Sequence, residues 1–313
     1  MIGITETMPP AVRRVRAYFA PVNRGAEQPT IFDPAQQGMF ALDAPPAPWI
    51  DLGWISGFAR KSGTKFEPVR AGAPAIPQMQ SRSAVDATVS LQFASWGKLQ
   101  MALAAGTQQM NLLNTQTGVA AAGSGGTAIA AGALQSGSTA NVLQLGVAAT
   151  SFSVGETIVV DVDYTGQLGF VGSGVSGAYV KSALTDIDYI RRVSLNVGRI
   201  SAIANGALTL EQPLLAGTPT SAMKLSGVAG FCDREGSTFF QEWSALFVAD
   251  GQQGERVLWH YPRLQTMASA AESSAASSGG LEVIRQGAAF RALSVTDPVD
   301  GESVVCFRSF VAC

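Results

Sequence analysis

The sequence predicts an all-β protein, and three stretches of alternating apolar and polar residues carry this prediction. VDATVSLQF (85–93) alternates over its whole length, as expected for a strand with one buried face. Residues 239–264 hold two such runs separated by DGQQGE, which is typical of a hairpin. TIVVDV (157–162) repeats the pattern in mid-chain. We therefore expect a β-sandwich or barrel with a short helix, and a small β-barrel-like domain inserted into it.

Composition argues against several classes of protein. With 47% hydrophobic and 14% charged residues and a net charge of −2, the 313-residue chain resembles neither a disordered tail nor a protein drawn to nucleic acid by bulk positive charge. No run of about 18 apolar residues is present, and no signal-peptide pattern follows the first arginines. We expect a soluble chain without membrane insertion whose partners are other protein surfaces.

A shift in composition predicts three segments. Residues 118–228 carry 17 of the 34 glycines but no tryptophan and no cysteine, which is typical of an inserted domain. The predicted organisation is a main domain in two parts, 1–117 with an N-terminal arm and 229–313, interrupted by a glycine-rich β insert at 118–228. Within the insert, Asn205-Gly206 predicts a hairpin turn.

The predicted strands assign side chains to faces. Strand 85–93 is expected to bury Val85, Ala87, Val89, Leu91 and Phe93. In the insert, one face is expected to carry Ile158, Val160 and Val162, the opposite face Val159, Asp161 and Asp163, and later strands Val193, Leu195, Val197, Leu208 and Leu210. In the 239–264 hairpin, Trp243, Ala245 and Phe247 share one face, and Val257, Trp259 and Tyr261 share one face of the returning strand.

Other segments have a simpler interpretation. WGKLQMALAAG switches to helical spacing, with Trp96, Leu99 and Leu103 on one face and Gly106 as the stop. Two further strands are expected at 282–295 and 302–311, separated by DPVDGE. The segment TMASAAESSAASSGG before them is compatible with a short helix or a serine-rich loop.

Residues for catalysis are scarce. His260 is the single histidine, and a triad or Cys-His pair needs an imidazole base. Because His260 lies on a predicted strand, we expect it to be a packed residue. Cys232, Cys306 and Cys313 lack a zinc-type spacing, and we expect buried or idle thiols, although a Cys232–Cys306 disulfide stays open. The sequence therefore predicts that the protein is not an enzyme and has no catalytic residues.

Binding motifs are also weak. The acidic pairs Asp161/Asp163 and Asp186/Asp188 offer oxygen ligands for calcium, but solvated strand faces are the simpler interpretation. Gly172, Gly174 and Gly177 match G-x-G-x-x-G, although no βαβ unit surrounds them. RRVRAYF, with Arg13, Arg14 and Arg16, is a candidate for nucleic-acid contact but is better explained as an exposed strand face or a protein-contact arm. We predict no cofactor-binding and no metal-binding residues.

Two stretches resemble the bacteriophage tail tube (major tail) protein family. The pattern W-x-x-L-G occurs at Trp49, Leu52 and Gly53 before a charged hairpin. It is followed by A-x-V-S-x-x-F at 87–93 and L-x-x-A-L-A-x-G at 99–106. The later stretch G-E-x-x-x-x-x-Y-P, at 254–262, is similar to the second half of that family. The resemblance covers 45–110 and 229–313 and leaves the insert outside it.

The resemblance implies a virion tail protein, made in the host cytoplasm, that assembles into stacked rings, commonly hexameric. In such rings a sheet closes across subunits around a lumen, and genome DNA passes through during ejection without sequence recognition. Its partners would be copies of itself and other tail proteins. We expect Arg13, Arg14 and Arg16 in an N-terminal arm, Trp49 and Trp54 where the first strand of the main domain begins, and Trp243, Trp259 and Tyr261 in the hairpin core.

The insert at 118–228 is expected to lie on the outside of such a ring, because inside it would block the lumen. An outer position leaves little room for a sheath and favours a non-contractile tail. The alternatives to a tail tube subunit are a carbohydrate-binding virion adhesin that uses exposed tryptophans, and a shell-decorating or pilus-like subunit.

Overall fold

The structure is a computed structural model of the chain. It describes residues 14–22, 28–37, 46, 48–106, 108–115, 118–121, 128–161, 196–234, 241–252, 254–267, 271–276 and 282–311. These residues are mostly in antiparallel strands, which confirms the predicted all-β class. The chain divides into two compact units, unit 1 (Met1–Trp96 and Phe240–Cys313) and unit 2 (Gly97–Phe239).

The strands follow one another with few helices between them. In chain order they are β1 (Arg14–Pro21), β2 (Ile50–Ala71), β3 (Ile76–Phe93), β4 (Gln108–Thr115), β5 (Gly118–Ala121), β6 (Gly132–Ala133), β7 (Val142–Gln144), β8 (Thr157–Asp161), β9 (Val197–Ala204), β10 (Ala207–Leu210), β11 (Lys224–Arg234), β12 (Glu242–Asp250), β13 (Arg256–Thr266), β14 (Ala271–Ala276), β15 (Glu282–Leu293), β16 (Val295–Thr296), β17 (Ser303–Val304) and β18 (Phe307–Val311). The helices are α1 (Pro34–Gln37), α2 (Lys98–Ala105) and a 3-10 helix at Gly146–Ser151.

Six strands of unit 1 form a closed circuit. Neighbouring strands run in the order β14-β15-β3-β2-β1-β12-β13-β18, and β15 pairs with β13 as well. Residues 286–291 of β15 pair with β3, while 290–293 pair with β13. β15 therefore joins the two ends of the sheet and completes a small barrel within one chain. In unit 1, the terminal strands β14 and β18 of this sheet keep an open edge, and so do the parts of β2 and β3 at 61–86, which pair only with each other.

The predicted alternation of buried and exposed side chains along β3 is confirmed inside the barrel. It ends where β3 passes beyond the barrel. Ala87, Val89, Leu91 and Phe93 are buried, as predicted. Val85 is 44% exposed, so its predicted burial is wrong. The reason is its position: pairing between β3 and β15 ends at Thr88, and Val85 lies beyond the barrel.

Aromatic side chains fill the barrel. The Phe19 ring centroid lies 6.2 Å from that of Trp243, 5.9 Å from Phe247 and 5.5 Å from Phe290. Trp243, Ala245 and Phe247 are buried, as predicted for one face of the hairpin. The other face of β12 is buried too, because Tyr18, Phe32 and Trp49 cover it in a second cluster. β12 is thus a central strand with two apolar faces.

The alanine- and serine-rich segment before β15 is a strand, which corrects the expectation of a helix or a loop. Residues 271–276 form strand β14, which pairs with 282–287 of β15. Because β13 covers only the last residues of β15, the first half of that edge is free to accept another strand. Long-range pairing thus overrides the helix propensity of alanine.

Unit 2 has its own sheet, in the order β5-β4-β11-β8-β9-β10-β7, with β6 also paired to β11. Its main core cluster includes Leu143, Ile158, Val160, Leu208 and Leu225. The predicted boundaries at 118 and 228 lie inside this unit, which also contains α2 and β4. Neither element is glycine-rich, so composition gave no sign that they belong with the insert.

Two local predictions in unit 2 are confirmed. Asn205 and Gly206 both have positive φ, 51° and 76°, and join β9 to β10 in a two-residue hairpin turn. Leu99 and Leu103 are buried in α2, and Gly106 ends the helix with φ 63°. Trp96 is not part of that helix: it is 48% exposed, and its indole nitrogen donates to the Ile284 carbonyl at 2.9 Å.

Several predictions fall on residues outside the described set. These are Arg13, Val162, Asp163, Gly172, Gly174, Gly177, Asp186, Asp188, Val193, Leu195 and Cys313, together with the side chain of Cys232.

Candidate assembly interface

The most exposed part of unit 1 is a two-stranded ribbon, residues 61–86, which we call the arm. Its strands are the continuations of β2 and β3 past the barrel rim, and they pair from Lys61↔Thr88 to Ala71↔Ile76. Every residue of the arm is exposed except Thr64, which is half-buried. The strand from Lys61 to Ala71 extends about 35 Å at ~3.4 Å per residue. The arm is thus a projection that touches little of its own chain.

Apolar side chains collect on one face of the outer arm. Val69 pairs with Met79 and Ala71 with Ile76, so these four side chains share a face, because residues two apart on β2 point the same way. Val69, Met79 and Ile76 are 47%, 61% and 55% exposed. We call this face the apolar stripe. Large exposed apolar side chains in contiguous sets mark interaction surfaces.

The chemistry of the arm limits how it binds. Gly72, with φ 94°, begins the turn at its tip, and Pro68 and Pro77 lie in its strands. Proline has no N–H to donate, so it interrupts pairing with a foreign strand at an exposed edge. Four basic and two acidic residues at 61–86 give the arm a net charge of +2. Contact through the faces of the arm is therefore favoured over contact through its edges.

A cleft lies on the wall of the barrel where residues of β1, β2, β3 and β15 come together, and we call it the basic cleft. It has a volume of about 570 Å³ and is lined by Arg14, Trp54, Phe58, Val283, Ile284 and Arg285, among others. The arm leaves the barrel near Thr88, which pairs with Arg291, whereas the cleft lies near Phe93, which pairs with Gln286. Along β3 these two levels are five residues apart, roughly 17 Å at ~3.4 Å per residue.

Arg14 and Arg16 of β1 pack against Trp54, which lines the cleft. The guanidinium carbons of Arg14 and Arg16 lie 5.8 and 5.2 Å from the Trp54 ring centroid, within the range of cation–π attraction. Arg16 also donates to both carboxylate oxygens of Asp51. Both arginines belong to strand β1, so their predicted place in an N-terminal arm is wrong.

Arg14 and Arg285 leave the cleft with a positive rim. Arg14 is exposed, and its guanidinium lies over the Trp54 ring. Arg285 is exposed and lies 3.5 Å from the Ser56 hydroxyl. The carboxylate of Asp51, the acidic group nearest to Trp54 along β2, is engaged by Arg16. The cleft therefore offers apolar walls and two cations to an acidic ligand.

A turn between β16 and β17 lies beyond the far end of β15. Val299 at its tip is 92% exposed and is surrounded in sequence by Asp297, Asp300 and Glu302. Asp297 fixes the turn: its carbonyl accepts from Gly301 N, its own N–H donates to the Glu302 carbonyl, both at 2.8 Å, and its carboxylate accepts from Val299 N at 2.9 Å. We call residues 297–302 the acidic turn.

A second hollow lies beside β18. Its volume is about 1000 Å³, and its walls include Ile31, Phe32, Val295, Phe307 and Arg308. The 28–34 segment also lines this hollow. Phe32 N of that segment donates a hydrogen bond to His260 Nε2 at 3.2 Å. The hollow widens the exposed apolar surface at the end of the barrel that carries the acidic turn.

His260 is a buried structural residue, as its sequence context indicates. It is 2% exposed and lies between the rings of Trp49 and Phe307. Nε2 accepts from Phe32 N, so Nδ1 carries the proton and donates to the Ala245 carbonyl at 3.3 Å. Burial lowers the pKa of His260 to about 4, and the hydrogen bond to Ala245 opposes that shift. The imidazole is neutral and links the 28–34 segment, through Phe32, to β12, through Ala245.

The buried Tyr261 and the half-buried Cys306 form a second polar group in unit 1. Arg60 Nε donates to the Tyr261 hydroxyl at 3.0 Å. Burial raises the pKa of Tyr261 to about 12 and also raises the pKa of the Cys306 thiol. Cys306 is a free cysteine, and a raised thiol pKa lowers its reactivity, in agreement with an idle thiol.

In unit 2 the acidic face predicted for β8 is not solvated. Asp161 is 2% exposed, and its carboxylate acts on the buried Lys98 ammonium. Lys98 Nζ donates to Asn111 Oδ1 at 2.8 Å and lies 5.1 Å from the Phe231 ring centroid. Burial lowers the pKa of Lys98 to about 7, while Asp161 opposes the shift. Periodicity missed this group because Lys98, which comes from α2, is distant from Asp161 in sequence.

Among the residues that the structure describes, no group of three or more His, Cys, Asp or Glu side chains is arranged to hold a metal ion. Within the same residues, none of the helices has both the length and the apolar character needed to cross a membrane. The chain matches no protein-family model and no curated protein.

Proposed function

We propose that the protein is a structural subunit that assembles with copies of itself into hollow rings or tubes, as bacteriophage tail tube proteins do. The observation that carries the proposal is the arm with its apolar stripe. A two-stranded hairpin alone is marginally stable in water. An arm of this length, whose apolar side chains are half exposed, gains stability by packing on a partner.

A second copy of the chain is the partner whose charge matches. The whole chain has a net charge of −2 and the arm +2, so the remainder carries −2 − 2 = −4. Arm and body therefore attract each other between copies. An arm of about 35 Å is also comparable to the 12-residue strand β15, which spans about 40 Å at ~3.3 Å per residue, so it reaches along most of a neighbouring barrel.

Such a contact leads to an open-ended or ring-shaped assembly. The arm occupies one end of the barrel, so the surface that receives it on another copy is a different surface. A heterologous contact of this kind repeats from copy to copy and produces a closed ring or a filament. Because each barrel is closed within its own chain, we expect the copies to be joined mainly by side-chain packing of the arm, with β14 and β18 as the strands available for pairing between copies.

The resemblance to tail tube proteins gives the assembly a role, which is passage of genome DNA through the lumen of a virion tail. The low net charge suits this role, since a strongly basic lining would hold DNA by releasing its counterions. Glycan binding has less support from the tryptophans. Trp49 and Trp243 are buried, Trp54 and Trp259 are half-buried, and the indole nitrogen of Trp96 is hydrogen-bonded.

Sedimentation velocity of two variants tests the proposal. In the first, Asn-Gly replaces residues 66–83, which brings Lys65 and its partner Ala84 into a two-residue hairpin and removes the outer arm. In the second, Val69→Thr and Met79→Gln make one of the two cross-strand pairs of the apolar stripe polar. We expect the wild type to sediment as large assemblies and both variants as monomers.

The matched control is Val154→Thr with Leu215→Gln, which removes two exposed apolar side chains from unit 2. This variant is expected to assemble like the wild type. A monomeric wild type at high protein concentration would overturn the proposal, as would full assembly of the variant without the outer arm.

A further inference from the structure

We propose that the acidic turn of one copy binds in the basic cleft of the next copy, so that subunits join head to tail. This inference rests on the proposed self-assembly and names a contact within it. The charges, the apolar surfaces and the positions of the two features on the barrel support it.

Charge complementarity is the first argument. Asp297, Asp300 and Glu302 lie within six residues of the turn, and Arg14 and Arg285 lie at the rim of the cleft. Opposite charges on two surfaces raise the rate of encounter and fix the register of docking. The Asp297 and Asp300 carboxylates each accept one backbone N–H inside the turn and keep further acceptor capacity for an arginine.

Apolar complementarity is the second argument. Val299 is 92% exposed at the tip of the turn, a position in which a valine gains nothing from its own chain. The cleft provides Trp54, Phe58 and Ile284 as apolar walls. Its volume of about 570 Å³ lies within the range of ordinary binding pockets. An apolar tip surrounded by carboxylates thus meets an apolar cleft with a rim of arginines.

The turn is ordered before it binds. Two backbone hydrogen bonds among Asp297, Gly301 and Glu302 and the side chains of Asp297 and Asp300 define its shape. Gly301 supplies the φ of 75° that the turn requires. A ligand loop held in its bound conformation loses less entropy on association. The turn is therefore suited to bind as a preformed loop.

The two features cannot meet within one barrel. Ile284 lines the cleft near the start of β15, and the turn follows the end of β15 at Leu293. The strand between these positions separates them by about 30 Å. One copy can therefore present its turn to the cleft of the next copy.

Two single variants and their mixture test the contact. Arg285→Glu disables the cleft, and Val299→Asp disables the turn by adding a further carboxylate at its tip. Both side chains are exposed, so both variants are expected to fold, which circular dichroism checks. Each variant alone is expected to associate at least about tenfold more weakly than the wild type, the size of effect seen when a central contact residue is lost.

The mixture is the decisive part of the test. Arg285→Glu protein keeps an intact turn, and Val299→Asp protein keeps an intact cleft, so one productive junction forms between them. The reverse junction sets the two introduced carboxylates against each other and is repulsive. An equimolar mixture is therefore expected to give dimers of defined mass that do not grow further. Higher salt is expected to weaken these dimers, because it screens the charges.

Control variants are Arg199→Glu and Val147→Asp, which make the same changes at exposed positions of unit 2 and are expected to assemble normally. If both cleft and turn variants form the same assemblies as the wild type, the turn–cleft contact is wrong while self-assembly stands. A mixture that stays monomeric, with a wild type that assembles, also overturns the contact. If the wild type is itself monomeric, both the contact and the proposed function are wrong.

Discussion

At the scale of single residues, His260 is expected to link the stability of unit 1 to pH. Its pKa is about 4 in the folded chain, against an ordinary value near 6.5 in the unfolded chain. Between these values the unfolded state binds the extra proton, so stability falls as the pH drops from 6.5 to 4. The difference between the two pKa values corresponds to a loss of about 3 kcal/mol.

Tryptophan fluorescence measures this effect in unit 1 alone, because all five tryptophans belong to that unit. In urea titrations at about pH 7.5 and about pH 4.5, on either side of the ordinary histidine pKa, we expect the wild type to lose more stability than His260→Gln, whose side chain does not titrate. Equal losses in the two proteins would mean that His260 does not bring about the pH dependence.

We expect the Asp161 carboxylate to stabilise the buried Lys98 ammonium in the core of unit 2. Lys98→Met removes the ammonium and leaves the buried Asp161 carboxylate beside an apolar chain, which is expected to cost about 3 kcal/mol. The double variant Lys98→Met with Asp161→Asn removes both charges and is expected to recover most of that loss. Thermal unfolding followed by circular dichroism gives the comparison. A double variant less stable than Lys98→Met would contradict the pairing.

These residues also show how far sequence alone predicts a side chain's surroundings. A lone histidine on an alternating strand is correctly predicted to be packed, because its own strand supplies the context. The prediction that Asp161 is solvated is wrong: its side chain is buried and acts on Lys98 of α2, a neighbour that alternation along β8 does not reveal. The assignment of Arg14 and Arg16 to an arm is wrong because a basic cluster near a terminus says nothing about pairing with Trp54.

At the scale of elements, the turn between β9 and β10 is expected to tolerate no side chain at Gly206. Its φ is 76°, and a Cβ there would lie 2.9 Å from the Gly146 Cα. Gly206→Ala is therefore expected to destabilise unit 2 by about 2 kcal/mol. Asn205→Gly, at φ 51°, is the control and is expected to have little effect.

Two optical signals distinguish destabilisation of unit 2 from destabilisation of unit 1. For Gly206→Ala, the circular dichroism transition is expected to shift, since both units contribute to it, while the tryptophan transition stays in place. A shift of both transitions by the same amount would contradict a local effect of the turn.

Element prediction succeeds where the signal is local and fails where it is long-range. Period-two alternation predicts β3 and the β12–β13 hairpin, and the glycine stop predicts the end of α2. Strand β14 is missed because Ala and Ser carry no strand signal, and its pairing with β15 decides its conformation. The projection of the arm is also missed, since the sequence of 61–86 does not tell where the barrel ends.

At the scale of the whole molecule, closure of the barrel changes the reason for assembly. The resemblance to tail tube proteins implies a sheet that closes across subunits, but β15 closes the sheet of unit 1 inside one chain. In the proposed assembly, the surfaces that meet a partner are the apolar stripe of the arm, the basic cleft and the acidic turn. We therefore expect assembly to depend on side-chain burial and charge pairing between barrels that are each closed within one chain.

Electron microscopy of the purified wild-type protein tests the central claim, that the chain is a self-assembling subunit of a hollow structure, most directly. We predict rings or tubes with an open central channel, and none in the variant that carries Asn-Gly in place of residues 66–83. Uniform single particles of about 32.5 kDa at high protein concentration, or solid assemblies without a channel, would contradict it.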